Sequence, residues 1–173
     1  MGNNNNNMGA IGHKNINKGY NYNSNGVIAS IIGTQHPPPK GYLKCNIDGA
    51  SKSNPGIAGY GGVLRDEEGK IILTFQCNLG KATNNMAELM ALEQCLELLK
   101  LNHNSNVLIE ADSEISINAV KKIIYGTTPE NVSKQWRLIQ VYQRIQKHIQ
   151  CLRTVNFNHV WRKANKLADL LAS

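Results

Sequence analysis

Four carboxylates occupy positions from which they could share one cleft. Asp48 and Asp112 each close a predicted strand. Glu88 lies one turn into a predicted helix, and Asp169 lies inside the last helix. If the first and fourth strands pair in parallel, Asp48 and Asp112 lie side by side at the carboxyl ends of those strands. Carboxylates crowded in this way repel one another unless a divalent cation neutralises them, and Mg²⁺ prefers hard oxygen ligands of this kind.

Each of these carboxylates also has a purely structural explanation. Glu88 follows Asn85 by three residues, which is the spacing of a helix capping box. Asp48 could be a turn residue, Asp112 could help to cap the next helix, and Asp169 could be an ordinary exposed helix residue. For any one position alone the structural explanation is favoured, and spacing by itself identifies no reaction.

The elements that must position these side chains follow from the spacing of apolar residues. Strands are predicted over residues 43–48, 58–65, 70–79, 107–111 and 155–160, and helices over 85–101, 113–125, 133–148 and from 165 onward. This order predicts an α/β fold with a five-stranded mixed sheet. Its first three strands are expected to be antiparallel, and helices are expected to cover both faces.

The composition changes near residue 40 of the 173-residue chain. Residues 1–25 are rich in asparagine and carry little apolar periodicity, and three prolines follow His36. Such a segment cannot bury enough surface to offset the entropy of ordering it. We therefore expect residues 1–40 to form a disordered tail and proline spacer, and residues 41–173 to form one globular domain.

The charge distribution favours a basic protein with one acidic half. The net charge is +7, yet residues 41–114 carry ten acidic and six basic side chains, whereas residues 115–173 carry two and ten. This division would suit a polyanionic ligand. The basic half would neutralise the ligand, and the acidic half would present metal-binding carboxylates to it. A solvated basic helix face explains the charge equally simply, and from charge alone it is the favoured explanation.

Several classes of protein are excluded by composition. No apolar run approaches the roughly 18 residues that cross a bilayer, so no membrane partner is expected. The four cysteines form no CxxC pair, which argues against a zinc site and against a disulfide scaffold. No secretory signal opens the chain. We expect an intracellular monomer of the nucleus or cytoplasm that is not secreted.

Four motifs, in this order, resemble those of the type 1 ribonuclease H family. They are Asn46-Ile47-Asp48-Gly49-Ala50 with Asn54-Pro55-Gly56, then Thr83-Asn84-Asn85-Met86-Ala87-Glu88-Leu89, then Glu110-Ala111-Asp112-Ser113, and finally the run from His159 to Asp169. The lead-in at residues 37–41 and the closing motif are most similar to the plant subfamily related to retroelement ribonuclease H domains. The resemblance covers the chain from about residue 40 to its end.

The resemblance implies an RNase H-like fold and an endonuclease that cleaves the RNA strand of RNA–DNA hybrids by two-metal hydrolysis. It implies two Mg²⁺ ions, for which Mn²⁺ could substitute, held by Asp48, Glu88, Asp112 and Asp169. Glu88 would also be placed to sense the RNA 2′-hydroxyl, the group that distinguishes RNA from DNA.

The resemblance also implies substrate contacts. The matching positions for the hybrid are Asn54, Thr83, Asn84 and Asn85, with Arg162 as a further phosphate contact. His159 matches a histidine that assists proton transfer or product release, although at the end of a predicted strand it could simply pack or cap.

Two features depart from the family and keep other functions open. The loop at residues 126–134 is too short for a basic protrusion, so we expect affinity for the hybrid to fall steeply with salt and to depend on scattered cations. These are Lys121, Lys122, Lys134, Arg137, Arg144 and Lys147. Because the chain stops at Ser173, we expect Asp169 to lie near a fraying helix end. The alternatives are a catalytically weak or inactive nucleic-acid-binding module left from a retroelement, and a nuclease or integrase that acts on DNA.

Overall fold

A single five-stranded sheet organises the part of the chain that the computed structural model describes, which is residues 36–100, 105–114, 117–118, 120–121 and 136–173. The strands are β1 (Tyr42–Ser51), β2 (Gly56–Arg65), β3 (Ile71–Ala82), β4 (Asn106–Ala111) and β5 (Thr154–His159). The helices are α1 (Asn84–Leu99), α2 (Trp136–Ile149) and α3 (Lys166–Ala172), with a 3₁₀ turn at Arg162–Ala164. Further helical residues lie between positions 114 and 121.

The sheet is mixed, with strand order β3-β2-β1-β4-β5. β1, β2 and β3 pair antiparallel, whereas β4 lies parallel to both β1 and β5. Tight connections permit the antiparallel pairs, and the chain passes through α1 before it forms the first parallel pair, as a parallel crossover requires. The predicted α/β class, strand number and antiparallel first three strands are confirmed.

Helices cover both faces of the sheet. α1 packs on β1 and against α2, and it buries leucines such as Leu92 and Leu96 in the main core. α3 packs on the opposite face, on the glycine-rich strand β2. A Cβ added to Gly61 would lie 2.4 Å from Leu171 Cβ, and one added to Gly59 would lie 2.8 Å from Ala172 O. The glycines of β2 therefore allow α3 to approach the sheet closely.

Several predicted boundaries are wrong, for identifiable reasons. β1 does not end at Asp48 but continues to Ser51, because β2 pairs with it up to that residue. α1 begins at Asn84, because the Thr83 side chain accepts a hydrogen bond from the Met86 amide and caps the helix. The capping box proposed for Asn85 and Glu88 is therefore wrong. A helix-capping role no longer explains why a glutamate stands at position 88.

Other predictions fall partly outside the described residues. These include the disordered tail at residues 1–35, the end of the helix predicted from residue 113, and the start of the helix predicted from residue 133. α3, for which we expected a fraying end, has Ala168 and Ala172 buried against the sheet side of the domain. Among the described helices, no segment has both the length and the apolar character needed to cross a membrane.

Candidate active site

Three of the four predicted carboxylates meet at one end of the sheet. Asp48, Glu88 and Asp112 each offer an oxygen atom, and these atoms all lie within 4.8 Å of one another. Asn46 of β1 pairs with Glu110 of β4, so Asp48 and Asp112 lie one step further along the same parallel register. The parallel pairing that the sequence suggested is therefore what brings these two side chains together.

Glu88 reaches the cluster because α1 begins unusually close to β1. A Cβ on Gly49 would lie 2.2 Å from Glu88 N and 2.3 Å from Ala87 C, so only glycine fits at this position. The Gly49 amide donates a hydrogen bond to the Glu88 carboxylate, which favours its charged form. Gly49 was not predicted as a positioning residue, although a glycine inside a strand is a signal of close backbone approach.

Burial and mutual repulsion oppose the ionisation of two of these carboxylates. Burial first, and then the negative charges of Asp112 and Asp169, raise the pKa of Asp48 to about 8. Burial first, and then the charges of Asp48 and Asp112, raise the pKa of Glu88 to about 9. Within the described part of the chain, Glu88 Oε2 is buried and has no hydrogen-bond partner. Three hard oxygen donors with a shortage of positive charge fit a divalent cation such as Mg²⁺.

Asp169 lies beside this cluster, in the first turn of α3, and is held by an arginine. Arg162 donates two hydrogen bonds to Asp169 Oδ1, from Nε at 3.1 Å and from Nη2 at 2.5 Å. The Arg162 cation also lowers the pKa of Asp48, against the larger effects that raise it. Arg162, which we predicted to contact phosphate, thus binds the fourth carboxylate in this structure.

Asn165 anchors α3 next to the cluster. Its side chain is fully buried, and Nδ2 donates a hydrogen bond of 2.8 Å to the carbonyl of Ile47, the residue before Asp48. Its backbone carbonyl accepts a hydrogen bond from the Asp169 amide. Asn165 was predicted to begin a helix and belongs to the closing motif, and its spacing of four residues from Asp169 was the available signal of a positioning role.

His159 is the last residue of β5 and lies near Asp112. Its Nε2 is 3.1 Å from the Asp112 carbonyl oxygen, and its ring meets the Trp161 ring edge to face at a centroid distance of 5.9 Å. The imidazole is exposed. It is therefore not a core residue of β5, although it does make a local backbone contact.

The four predicted substrate contacts gather at the start of α1. Asn54 Oδ1 accepts a hydrogen bond of 3.1 Å from the Asn84 amide, which ties the β1–β2 loop to the helix. Thr83 Oγ1 caps the helix at 3.2 Å from the Met86 amide, and Asn85 is exposed. These side chains therefore lie about one turn of helix from Glu88.

Only some of the basic residues predicted to bind the hybrid lie in the described part of the chain. Lys121 and Lys147 are exposed, whereas Arg144 forms an ion pair with Glu93, with Nη2 3.1 Å from Oε2. Lys122, Lys134 and the side chain of Arg137 lie outside the described residues. The partly neutralised charge of Arg144 makes it a weaker candidate for binding phosphate than the sequence suggested.

A buried polar row precedes the carboxylates along the same strands. Lys44 Nζ lies 3.3 Å from Glu110 Oε2, and Asn46 Nδ2 donates to the same oxygen at 3.0 Å. Lys44 Nζ also donates to the carbonyl of His36. Lys44 is only 3% exposed, and Asn46 and Asp48 are also buried.

Comparison with known proteins places this arrangement in a family. A family model described as reverse transcriptase-like matches residues 46–173. A plant protein from Arabidopsis thaliana that is named as a ribonuclease H protein is 37% identical over 136 residues, which cover 79% of this chain and 21% of that protein. The chain thus spans about a fifth of the length of that relative.

An archaeal relative matches over most of its own length. Ribonuclease HI of Halobacterium salinarum is 31% identical over 143 residues, covering 83% of this chain and 68% of that protein. The crystal structure of RNase H1 from the same organism matches with a TM-score of 0.64, covering 76% of this chain and 95% of that one.

A third relative was solved with nucleic acid. LC11-RNase H1 in complex with an RNA/DNA hybrid is 26% identical, with a TM-score of 0.61 and coverage of 75% of this chain and 93% of that one. The shared fold, the matching motifs and the extent of the family model agree, and the chain therefore belongs to the reverse transcriptase-like family of RNase H-like proteins.

Proposed function

We propose that this chain is a Mg²⁺-dependent endonuclease that cleaves the RNA strand of RNA–DNA hybrids. The observation that carries the proposal is the convergence of Asp48, Glu88 and Asp112 within 4.8 Å, on a fold shared with ribonuclease H proteins. An arrangement of buried, mutually repelling carboxylates costs stability and is retained where a cation and its chemistry require it.

The residues divide into roles that their positions support. The metal would be held by Asp48, Glu88 and Asp112. Asp169 would join them when Arg162 leaves Asp169 and binds the phosphate backbone of the substrate. When two Mg²⁺ ions are bound, or Mn²⁺ in their place, they supply an activated water and stabilise the charge that develops on the leaving oxygen. His159, exposed beside Asp112, would assist proton transfer or release of the product.

Recognition of the hybrid would use the polar residues at the start of α1. Asn54, Asn84 and Asn85 offer amide groups suited to the minor groove, where RNA displays its 2′-hydroxyls. Thr83 would contact a phosphate in addition to capping α1. Glu88 lies next to these residues and would sense the 2′-hydroxyl at the cleavage position.

The proposal is tested with a labelled RNA–DNA hybrid in Mg²⁺, alongside duplex DNA and duplex RNA. We expect cleavage of the RNA strand of the hybrid alone, and loss of cleavage in chelator and in Asp48→Asn. Asp66→Asn is the matched control, because Asp66 accepts turn hydrogen bonds that asparagine can also accept and lies in the β2–β3 turn. Its activity should equal that of the wild type.

Two outcomes would contradict the proposal in different ways. Binding of the hybrid without cleavage would favour the alternative of an inactive RNase H-like module left from a retroelement. Cleavage of duplex DNA would favour a DNA-directed nuclease or integrase of the same fold.

A further inference from the structure

One large apolar side chain lies open to solvent beside the carboxylates. Trp161 is 80% exposed, more than any other large hydrophobic residue among those described. An indole ring buries 150–250 Å² when it is covered, so leaving it in water forgoes a large favourable contribution. The metal-binding role of the carboxylates does not use this ring, and its exposure calls for an explanation of its own.

The ring is carried by a backbone segment that is well fixed. The Val160 amide donates a hydrogen bond of 2.9 Å to the Ala111 carbonyl, and the Ala164 amide donates one of 2.8 Å to the Trp161 carbonyl. The Trp161 ring also meets the His159 ring edge to face. Because both ends are tied, Trp161 is held at a defined position relative to Asp112, and little conformational entropy would be lost when a ligand covers it.

Basic residues follow the ring along the chain. Arg162, Lys163 and Lys166 follow Trp161 closely and are exposed, and no acidic residue lies between Trp161 and Lys166. An exposed aromatic ring flanked by cations is the composition with which proteins bind nucleic-acid strands, because the cations contact phosphate while the ring covers apolar parts of the nucleotide. A partner protein would need an acidic patch around an apolar pocket to match it.

We propose that Trp161 is a substrate-binding residue. Its indole packs on a sugar of the hybrid, next to the phosphate that is cleaved at the carboxylate cluster. This inference rests on the proposed function. A sugar is the expected contact because the base faces of a duplex are already stacked on one another. Trp161 would set the register of the hybrid by an apolar contact, while Lys163 supplies a phosphate contact.

The direct test is tryptophan fluorescence, because Trp136 is the only other tryptophan of the chain. The hybrid is titrated into Asp48→Asn protein in Mg²⁺, and the signal of the same protein with Trp161→Phe is subtracted. We expect a saturable change in the Trp161 emission. An unchanged difference spectrum at saturating hybrid would overturn the inference and would leave a protein partner as the better explanation.

Binding and kinetics give a second, independent measurement. Trp161→Ala should raise the Kd and the KM for the hybrid about tenfold and change kcat little, as for loss of one apolar contact. Trp161→Phe should recover part of the affinity. Ile72→Ala is the matched control, since Ile72 is 51% exposed on β3, near the opposite end of the strands, and should bind as the wild type does.

Salt dependence separates the apolar contact from the charged one. Trp161→Ala should leave the slope of log K against log salt unchanged, whereas Lys163→Gln should reduce it by about one. A slope change in Trp161→Ala as large as that in Lys163→Gln would contradict an apolar contact.

The outcomes distinguish this inference from the proposed function. Cleavage of the hybrid with unchanged affinity in Trp161→Ala overturns the role of Trp161 and leaves the nuclease standing. A saturable Trp161 signal in a protein that does not cleave supports the role of Trp161 and overturns the nuclease. Absence of any hybrid binding overturns both.

Discussion

Two neighbouring sites at β1 and β4 differ in whether opposite charges or like charges meet. The buried row places the Lys44 ammonium and the Asn46 amide on the Glu110 carboxylate, so its charges are matched. Two residues further along each chain, Asp48 and Asp112 lie with Glu88 in a cluster of three carboxylates, and the pKa of Asp48 rises to about 8 as burial and repulsion oppose ionisation.

The contrast shows how one strand pairing serves two purposes. The parallel register pairs Asn46 with Glu110, and two residues beyond this pair the carboxylates of Asp48 and Asp112 lie in one cluster. Where opposite charges meet, the pairing holds the sheet together and ties it to the segment at His36. Where like charges meet, burial and repulsion destabilise the folded chain. The first site stabilises the fold, whereas the proposed metal would relieve the repulsion at the second and would stabilise the folded chain by binding to it.

The largest effect is expected from breaking the matched site. Lys44→Met keeps the apolar stem of the side chain but leaves the Glu110 carboxylate without its cation. We expect a loss of about 3 kcal/mol in the free energy of unfolding, measured by urea denaturation, because removing one partner of a buried ion pair strands the other. Adding Glu110→Gln should recover most of that loss. If Lys44→Met alone is as stable as the wild type, the ion pair contributes nothing to the free energy of unfolding.

An intermediate effect is expected from relieving the unmatched site. Because the pKa of the Asp48 carboxyl is about 8 in the folded chain and 3.8 in its ordinary state, the folded chain binds more protons between these values. The contribution of the Asp48 carboxyl to the free energy of unfolding is therefore fully present below about pH 4 and is lost as the pH rises through about 8. In chelator at about pH 8, Asp48→Asn should be more stable than the wild type by about 2 kcal/mol.

Magnesium provides the control for this prediction. Mg²⁺ should raise the Tm of the wild type, and more so at high pH, because the metal competes with protons for the same oxygens. It should raise the Tm of Asp48→Asn far less. Thermal unfolding of both proteins across this pH range, with and without Mg²⁺, is the measurement, and equal pH profiles in chelator would contradict the pKa assignment.

The smallest effect is expected at the exposed ion pair. The Arg162 side chain is 75% exposed, so its pair with Asp169 is screened by water. Arg162→Gln should change the free energy of unfolding by about 0.5 kcal/mol or less, in the range of surface ion pairs. The same urea denaturation measures it. A loss as large as that of Lys44→Met would mean that Arg162 has a structural role comparable to the buried row.

The fold was predictable from sequence because its signals are local and repeated. Apolar alternation marked the strands, helical spacing marked α1, and the order of the elements led to the mixed sheet that the structure has. The misplaced boundaries depend on partners that lie far away in sequence. β1 extends to Ser51 because β2 is beside it, and α1 begins after Thr83 because that side chain, rather than Asn85, caps the helix.

The candidate site was predictable in composition but not in detail. Four carboxylates were identified, and three of them meet within 4.8 Å, whereas Asp169 lies beside these three and is held by Arg162. Gly49 and Asn165 were not identified as positioning residues. Their importance arises from contacts with α1 and with β1 that no spacing along the chain displays.

The class of fold and the kinds of group available for chemistry could be predicted, since residue types and short-range periodicity indicate both. Which charges face one another, and how deeply they are buried, became known from the folded chain. Electrostatic free energy depends on distance and on exclusion of water, and both are set when distant segments pack. That is why Lys44 and Asp48, four residues apart on one strand, lie in a matched ion pair and in an unmatched carboxylate cluster respectively.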